Sequence, residues 1–244
     1  MLSQYNLSIV FVSYVISVLG SFAALQLVTA IPAAATRAQR RTAILCAGLA
    51  LGGGAIWSMH FVGMLALQTE MRMAYDVWGT AVSLVIAIAA CTFGMWVCGS
   101  GRFSIDRLLP AAVFMGAGVA GMHYYGMAAM LMPAEVSYNL NIILISVIIA
   151  VVASFAALWM AFNMQGGLQK FASALVMGVA VCGMHYTGMA AISYRMTGVM
   201  PEAGWAGSVS ETSVEIFAGV VVLSVLVLAI GVARWYRKRP VFAS

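Results

Sequence analysis

Apolar positions along the chain are gathered into seven long runs separated by short polar loops. They lie at about Leu7 to Ala30, Thr42 to Leu67, Tyr75 to Cys98, Leu108 to Met132, Asn139 to Phe162, Gln169 to Ser193 and Val214 to Trp235. A helix of about 20 apolar residues crosses the hydrocarbon core of a bilayer, and each run reaches that length. The expected architecture is an all-α polytopic membrane protein with seven transmembrane helices. Met1 to Ser8 lacks the basic start of a signal peptide, and the run that follows is too long for a signal core and has no clear cleavage site, so it reads as the first span.

The same pattern repeats. Gly53 to Met64, Gly116 to Met127 and Gly178 to Met189 align without gaps, and each contains Met-His-aromatic-x-Gly-Met. The histidines His60, His123 and His185 are 63 and 62 residues apart, the period of one helix pair. The copies therefore fall in the second, fourth and sixth spans and enter the membrane in one direction. The fold is expected to be three parallel internal repeats of helix pairs plus one extra helix. Parallel repeats set equivalent residues at equal depth around an axis along the membrane normal. At a rise of 1.5 Å per residue the histidines stand roughly 4 to 8 Å to the outer side of the helix midpoints, so one layer can contain all three.

Charge supplies orientation and excludes several functions. Only 8% of the 244 residues are charged and 64% are hydrophobic, against about 25% charged in soluble domains, so the chain is essentially all membrane. Arg37, Arg40, Arg41, Arg102, Arg107, Lys170 and the tail Arg234 to Arg239 lie at one set of loops. The alternate loops hold Glu70, Asp76, Glu135, Glu202, Glu211 and Glu215 beside Arg72 and Arg195. The positive-inside rule puts the N-terminus outside and the C-terminus in the cytoplasm of a multi-pass inner-membrane protein. The net charge of +5 is explained by this topology, and no nucleic-acid partner is expected. Residues 1–236 form the membrane domain, and 237–244 a short basic cytoplasmic tail that reads as a stop-transfer anchor against the lipid bilayer. Cys46, Cys91, Cys98 and Cys182 have neither zinc-site nor disulfide-framework spacing.

The repeated frame carries the candidate chemistry. His60 with Met64, His123 with Met127 and His185 with Met189 are i, i+4 pairs, so imidazole and thioether share a helix face. Met59, Met122 and Met184 flank that face about 100° away. Thioethers favour Cu(I) and imidazole suits copper, iron, zinc and nickel, so the mixed set points to copper as Cu(I) or Cu(II). Met115 and Met177, eight residues before their histidines, and Cys182 are further candidate ligands. Gly52 and Trp57 hold those positions in the first copy, which makes the symmetry imperfect. Tyr124 and Tyr186, next to their histidines, are candidates to donate a hydrogen bond to a ligand or to orient an imidazole; Phe61 cannot. Gly63, Gly126 and Gly188, with Gly53, Gly116 and Gly178, would bring the three helix faces together. Most of the remaining methionines, Met71, Met73 and Met95 among them, read as packing.

The residues Met59-His60-Phe61, Met122-His123-Tyr124-Tyr125 and Met184-His185-Tyr186-Thr187 resemble the MHYT family of bacterial integral membrane sensor domains, over roughly residues 5 to 236. The third copy spells the family's tetrapeptide, the second has Tyr125 and the first has Phe61-Val62 in place of Tyr-Thr. The resemblance implies a seven-helix domain with its motifs near the outer face of the cytoplasmic membrane, proposed in the family to bind copper and sense a diatomic gas such as oxygen, carbon monoxide or nitric oxide. Many relatives continue into PAS, diguanylate cyclase or phosphodiesterase domains. The chain is then a stand-alone sensor with a cytoplasmic or membrane signalling partner, or the membrane part of a longer protein.

No phosphate loop, His-Glu-x-x-His, nucleophile elbow or mid-membrane carboxylate is present in the sequence, so an enzyme is not expected. Copper transport through a channel is the alternative, with Met115 and Met177 about 12 Å below their histidines as its partial hint. A haem protein with two histidines as axial ligands is a third reading. Spacing leaves open whether the histidines share one ion, and the oligomeric state is unknown. The loop Tyr194 to Ser213 is a candidate external flap over the site.

Overall fold

Four of the helices begin where the sequence supplies a side chain for their orphan backbone N–H groups. Asn6 accepts from the Ser8 amide at 3.0 Å, Thr36 from Gln39 at 3.1 Å, Asp76 from Gly79 at 2.6 Å, and Asn139 from Asn141 at 3.1 Å and Ile142 at 3.3 Å. A computed structural model describes residues 5–69, 73–101, 103–197 and 207–237. It has seven helices long and apolar enough to cross a membrane. These are α1 (Leu7–Val28), α2 (Arg37–Met64), α3 (Val77–Gly99), α4 (Ile105–Ala128), α5 (Leu140–Asn163), α6 (Gly167–Ala190) and α7 (Glu211–Arg237).

The helices form a closed ring. α1 packs on α2, α2 on α3, α3 on α4, α4 on α5, α5 on α6, and α6 returns to α1, while α7 lies outside against α1 and α2. The three motif helices alternate with the other three around this ring, and they also touch one another, α2 with α6 and α4 with both. Three helix pairs plus one extra helix is therefore the observed architecture. Because α7 covers it from outside, α2 is 78% buried along its apolar window, against 28–44% for the other spans.

Small residues set how closely the helices approach, as expected where van der Waals packing replaces the hydrophobic effect between membrane helices. A β-carbon on Gly116 of α4 would lie 2.6 Å from the Val151 Cα of α5, and one on Gly178 of α6 2.7 Å from a Val18 methyl of α1. On α2 the equivalent contact is made by Gly52, whose β-carbon would lie 2.5 Å from the Ala87 carbonyl of α3. Gly53 instead faces α3 and α7 side chains at ordinary distances. The one-residue shift has a structural cause. Leu49–Trp57 is wound as a π-helix inside α2, and Ser58 closes it, its N–H and hydroxyl both donating to the Gly53 carbonyl, the latter at 2.9 Å. One additional residue is accommodated between the packing glycine and His60. The gapless alignment of the first copy holds for the histidine but not for the glycine seven residues earlier, whose packing contact passes to Gly52.

At the end of the bundle opposite Arg37, Arg107 and Lys170, the loops fold into two small antiparallel sheets that the apolar pattern did not signal. β1 (Ala74–Asp76) pairs with β2 (Met130–Leu131) on one side and β5 (Ser208–Ser210) on the other; β3 (Ala134–Tyr138) pairs with β4 (Ile192–Met196). These strands shorten two helices relative to expectation. α4 stops at Ala128 rather than near Met132, and α6 at Ala190 rather than near Ser193. Glu135 and Arg195 stand opposite each other in the β3–β4 register, 2.5 Å apart and exposed. In the expected flap, Tyr194 lies in β4 and Ser208 to Ser210 in β5; residues 198–206 lie outside the described residues, as do Glu70, Met71, Arg72, Arg102 and the tail 238–244.

Replacing Gly116 by Ala should lower the thermal midpoint of the purified protein. The added methyl meets Val151 backbone, and overpacking of about 1–3 kcal/mol outweighs the better helix propensity of Ala, worth about 1 kcal/mol. Gly121→Ala on the same helix, where a β-carbon meets nothing within 4 Å, should hold or raise the midpoint.

A buried histidine triad as candidate metal centre

His60 on α2, His123 on α4 and His185 on α6 meet inside the ring, each about 1% exposed. Their Nδ1 atoms face one another at 3.0 Å (His60 to His185), 3.1 Å (His60 to His123) and 3.3 Å (His123 to His185). The rings cross at 75° to 86°, like the blades of a propeller. The single layer expected from helical rise is thus observed.

The repeated glycine shows how the propeller is held. The Nε2 edge of His60 occupies the place of a β-carbon on Gly126 of α4, at 2.6 Å from it, and that of His185 the place on Gly63 of α2, at 2.6 Å. His123 stands against Gly188 of α6 in the same way. Each ring is seated on the next helix around the axis, and each seat is the glycine three residues after a histidine. A methyl at any of the three would strike a rigid ring. The aromatic residue after each histidine completes the wall, with ring centroids 4.8 Å (Phe61), 4.8 Å (Tyr124) and 4.7 Å (Tyr186) from its own imidazole.

The tyrosine hydroxyls turn to serines, not to imidazoles. Tyr124 bonds to Ser146 of α5 at 2.5 Å and Tyr186 to Ser13 of α1 at 3.0 Å. The expected hydrogen bond from Tyr124 or Tyr186 to a histidine is therefore replaced by anchoring to the neighbouring helix. Ser13 and Ser146 were not legible as site residues. Only their polarity in apolar runs marked them.

Met59, Met64, Met122, Met127, Met184 and Met189 are all buried. Met115 and Met177 are buried too, and with Met184 they line an apolar cavity of about 40 Å³ between α4, α5 and α6. Leu51 of α2 lines the same cavity, nine residues before His60, because the π-turn displaces the first copy by one. Ile56, Val119 and Val181, each four residues before its histidine, stand between. Two apolar tiers thus lie below the triad. Cys182 is partly buried, near Ser13 and Tyr186. In the first copy Trp57 replaces the position of Cys182; it is fully buried, donates to Ser83 at 3.0 Å and packs on Phe61 at 4.7 Å. On the strand side Tyr75 of β1 is fully buried, 5.6 Å from Phe61. Burial first, then the nearby Glu211, Tyr194 and Glu215, push its phenol up, which keeps it neutral.

The nitrogen geometry defines what the triad accepts. A neutral imidazole nitrogen has one in-plane position, filled by a proton or by a lone pair. Three such nitrogens facing one another cannot all be paired among themselves. A cation at their centre satisfies all three lone pairs. The centre of a triangle with these sides is about 1.8 Å from each corner, close to the metal–imidazole bond length of about 2.0–2.1 Å. The three histidines are the described group of His, Cys, Asp and Glu able to hold a metal ion, with no carboxylate beside them. The donor set fits a borderline or soft first-row ion and not magnesium or calcium.

Comparison with known proteins agrees with this frame. The model of the MHYT family, described as a bacterial signalling protein N-terminal repeat, matches residues 53–111 and 116–174, starting at the first two motif glycines. The chain is 37% identical over 237 residues to the bifunctional diguanylate cyclase/cyclic di-GMP phosphodiesterase MucR of Pseudomonas aeruginosa, covering 94% of this chain and 34% of that protein. The chain belongs to the MHYT family of bacterial signalling proteins. The cyclic di-GMP phosphodiesterase NbdA of the same organism is 34% identical over 194 residues, which cover 77% of this chain and 24% of that protein. The signalling protein YkoW of Bacillus subtilis is 31% identical over 198 residues, covering 78% and 24%. The MHYT chain thus spans about a third or less of the relatives it matches, and the match covers only that part of those proteins. No solved structure matches it.

Gly126→Ala tests the seat directly. The variant keeps all three histidines, yet it should weaken stabilisation of the metal-free protein by added Cu(I) or Zn(II) in a thermal titration by at least tenfold. Gly183→Ala, where a β-carbon meets nothing within 4 Å, should titrate as the parent.

Proposed function

We propose that this MHYT bundle is the sensory module of a signalling protein and that His60, His123 and His185 share one copper ion. The observation that carries the reading is the convergence of three Nδ1 atoms within 3.0–3.3 Å in a site sealed from water. Copper would supply an open, redox-active coordination position for a small diatomic ligand such as oxygen, carbon monoxide or nitric oxide. The protein's own residues do the rest. The imidazoles must be neutral to offer their lone pairs, so metal uptake competes with protons. The glycine seats fix the rings, and the buried thioethers one turn away provide soft donors and keep water out. The methionine-lined apolar cavity, walled by α4, α5 and α6, suits an apolar gas, and it reaches Met184 beside His185.

Signal follows from the way the rings are seated. Each imidazole belongs to one motif helix and rests on the next, so a change in nitrogen spacing displaces α2, α4 and α6 together. Such a change biases the bundle only through a difference in coordination energy between two of its arrangements. By the positive-inside rule the basic end faces the cytoplasm, where the remainder of a longer protein, or a separate partner, would receive it. In the relatives that output is named as cyclic di-GMP synthesis or hydrolysis, and we assign it here to a domain or partner beyond the seven helices.

The tiers of Ile56, Val119 and Val181, then Leu51, Met115 and Met177, speak against a copper channel, since an ion leaving the triad toward the basic end meets an apolar layer first. The rings also stand closer than two axial ligands of a haem iron, which are about 4 Å apart with a macrocycle between them.

Elemental analysis of the purified protein should find one copper per chain, retained in Met95→Ala and lost in His60→Ala, His123→Ala and His185→Ala alike. Carbon monoxide should shift the thermal midpoint of the reduced, copper-loaded parent and leave the three histidine variants unmoved. Equal copper in all four variants would remove the triad as its site.

A further inference from the structure

We propose that the basic end of the bundle holds a specific anionic phospholipid, its headgroup on Arg41 and one acyl chain in the groove between α2 and α3. The groove has a volume of about 530 Å³, within the usual range of ligand sites, and it opens outward to the bilayer. Arg41 stands at its mouth, and Leu45, Val85, Ala89, Phe93 and Trp96 line it. The α3 residues among these recur at 85, 89, 93 and 96, the spacing of one helical stripe, and all are exposed in the protein alone. From Trp96 to Val85 the stripe descends about 16 Å. That is about half of a 30 Å hydrocarbon core, the depth of one leaflet. Trp96, three residues from the end of α3, sits at the level where indole rings meet headgroups.

Charge selects the headgroup. The described basic residues at this end are Arg37, Arg40, Arg41, Arg107, Lys170, Arg234 and Arg237, against Asp106 alone. Arg40 is turned inward to the Gly99 carbonyl, and Lys170 donates to Gln26 at 3.4 Å. The ion pair found among the described residues, Arg195 with Glu135, lies at the opposite end. Arg41 is exposed and has no ion-pair partner among the described residues, beside a groove lined mostly by apolar side chains. A zwitterionic lipid would fill the groove and bring the same phosphate, but the cation of its own headgroup would offset that phosphate's attraction to Arg41.

The test compares phosphatidylglycerol with phosphatidylcholine of identical acyl chains, titrated into the delipidated protein in detergent and read by native mass spectrometry. The expected result is a preference for phosphatidylglycerol of about fivefold, the worth of one basic residue near a lipid surface. Arg41→Gln should reduce it to parity and Arg41→Lys restore most of it. Ala89→Trp, which fills the groove, should weaken both lipids. Glycerol 3-phosphate, which has the phosphate and no chain, should not compete. Equal binding of the two lipids by the parent, a preference unchanged in Arg41→Gln, or full competition by glycerol 3-phosphate would each overturn the proposal.

Discussion

Three imidazole nitrogens aimed at one another inside a membrane are an unstable arrangement unless something positive lies between them. The rest of the bundle is arranged to impose that convergence. A ring of six helices brings three motif faces to one axis, and the glycine after each histidine removes the β-carbon that would hold the next ring away. The motif is therefore an interlocking unit: the histidine of one copy is positioned by the glycine of another, and no copy is complete alone.

The first repeat shows how much irregularity this interlock tolerates. A π-turn in α2 absorbs one residue between the packing glycine and His60, and Leu51 takes the place that Met115 and Met177 hold in the other helices. Trp57, where the other copies have Ala120 and Cys182, and Phe61, where they have Tyr124 and Tyr186, form an aromatic stack reaching Tyr75 on the strand cap. The α7 helix, which breaks the threefold pattern, lies over this divergent repeat. Approximate symmetry is thus preserved where the nitrogens meet and relaxed elsewhere.

Seven spans, three parallel repeats and a single histidine layer were legible in the sequence because each follows from a period: about 20 apolar residues per crossing, 62 or 63 between histidines, and 1.5 Å of rise per residue. What resisted reading depends on phase or on partners distant in sequence. A π-turn leaves no distinct apolar pattern, so Gly52 looked like a defect. Short strands such as β2, two residues long, resemble the last turn of a helix. Tyr124 and Tyr186 were read as partners of their adjacent histidines, yet Ser146 and Ser13, on other helices, take their hydroxyls. The glycines were recognised as sites of close approach, but that each receives an imidazole edge is a property of the assembled ring.

X-ray absorption at the copper K-edge of the purified, copper-loaded protein addresses the central claim most directly. One ion shared by the triad predicts a first shell dominated by about three imidazole nitrogens near 2.0 Å, with the multiple-scattering pattern of histidine rings. A shell of sulfur alone, or no more than one nitrogen per copper, would contradict it.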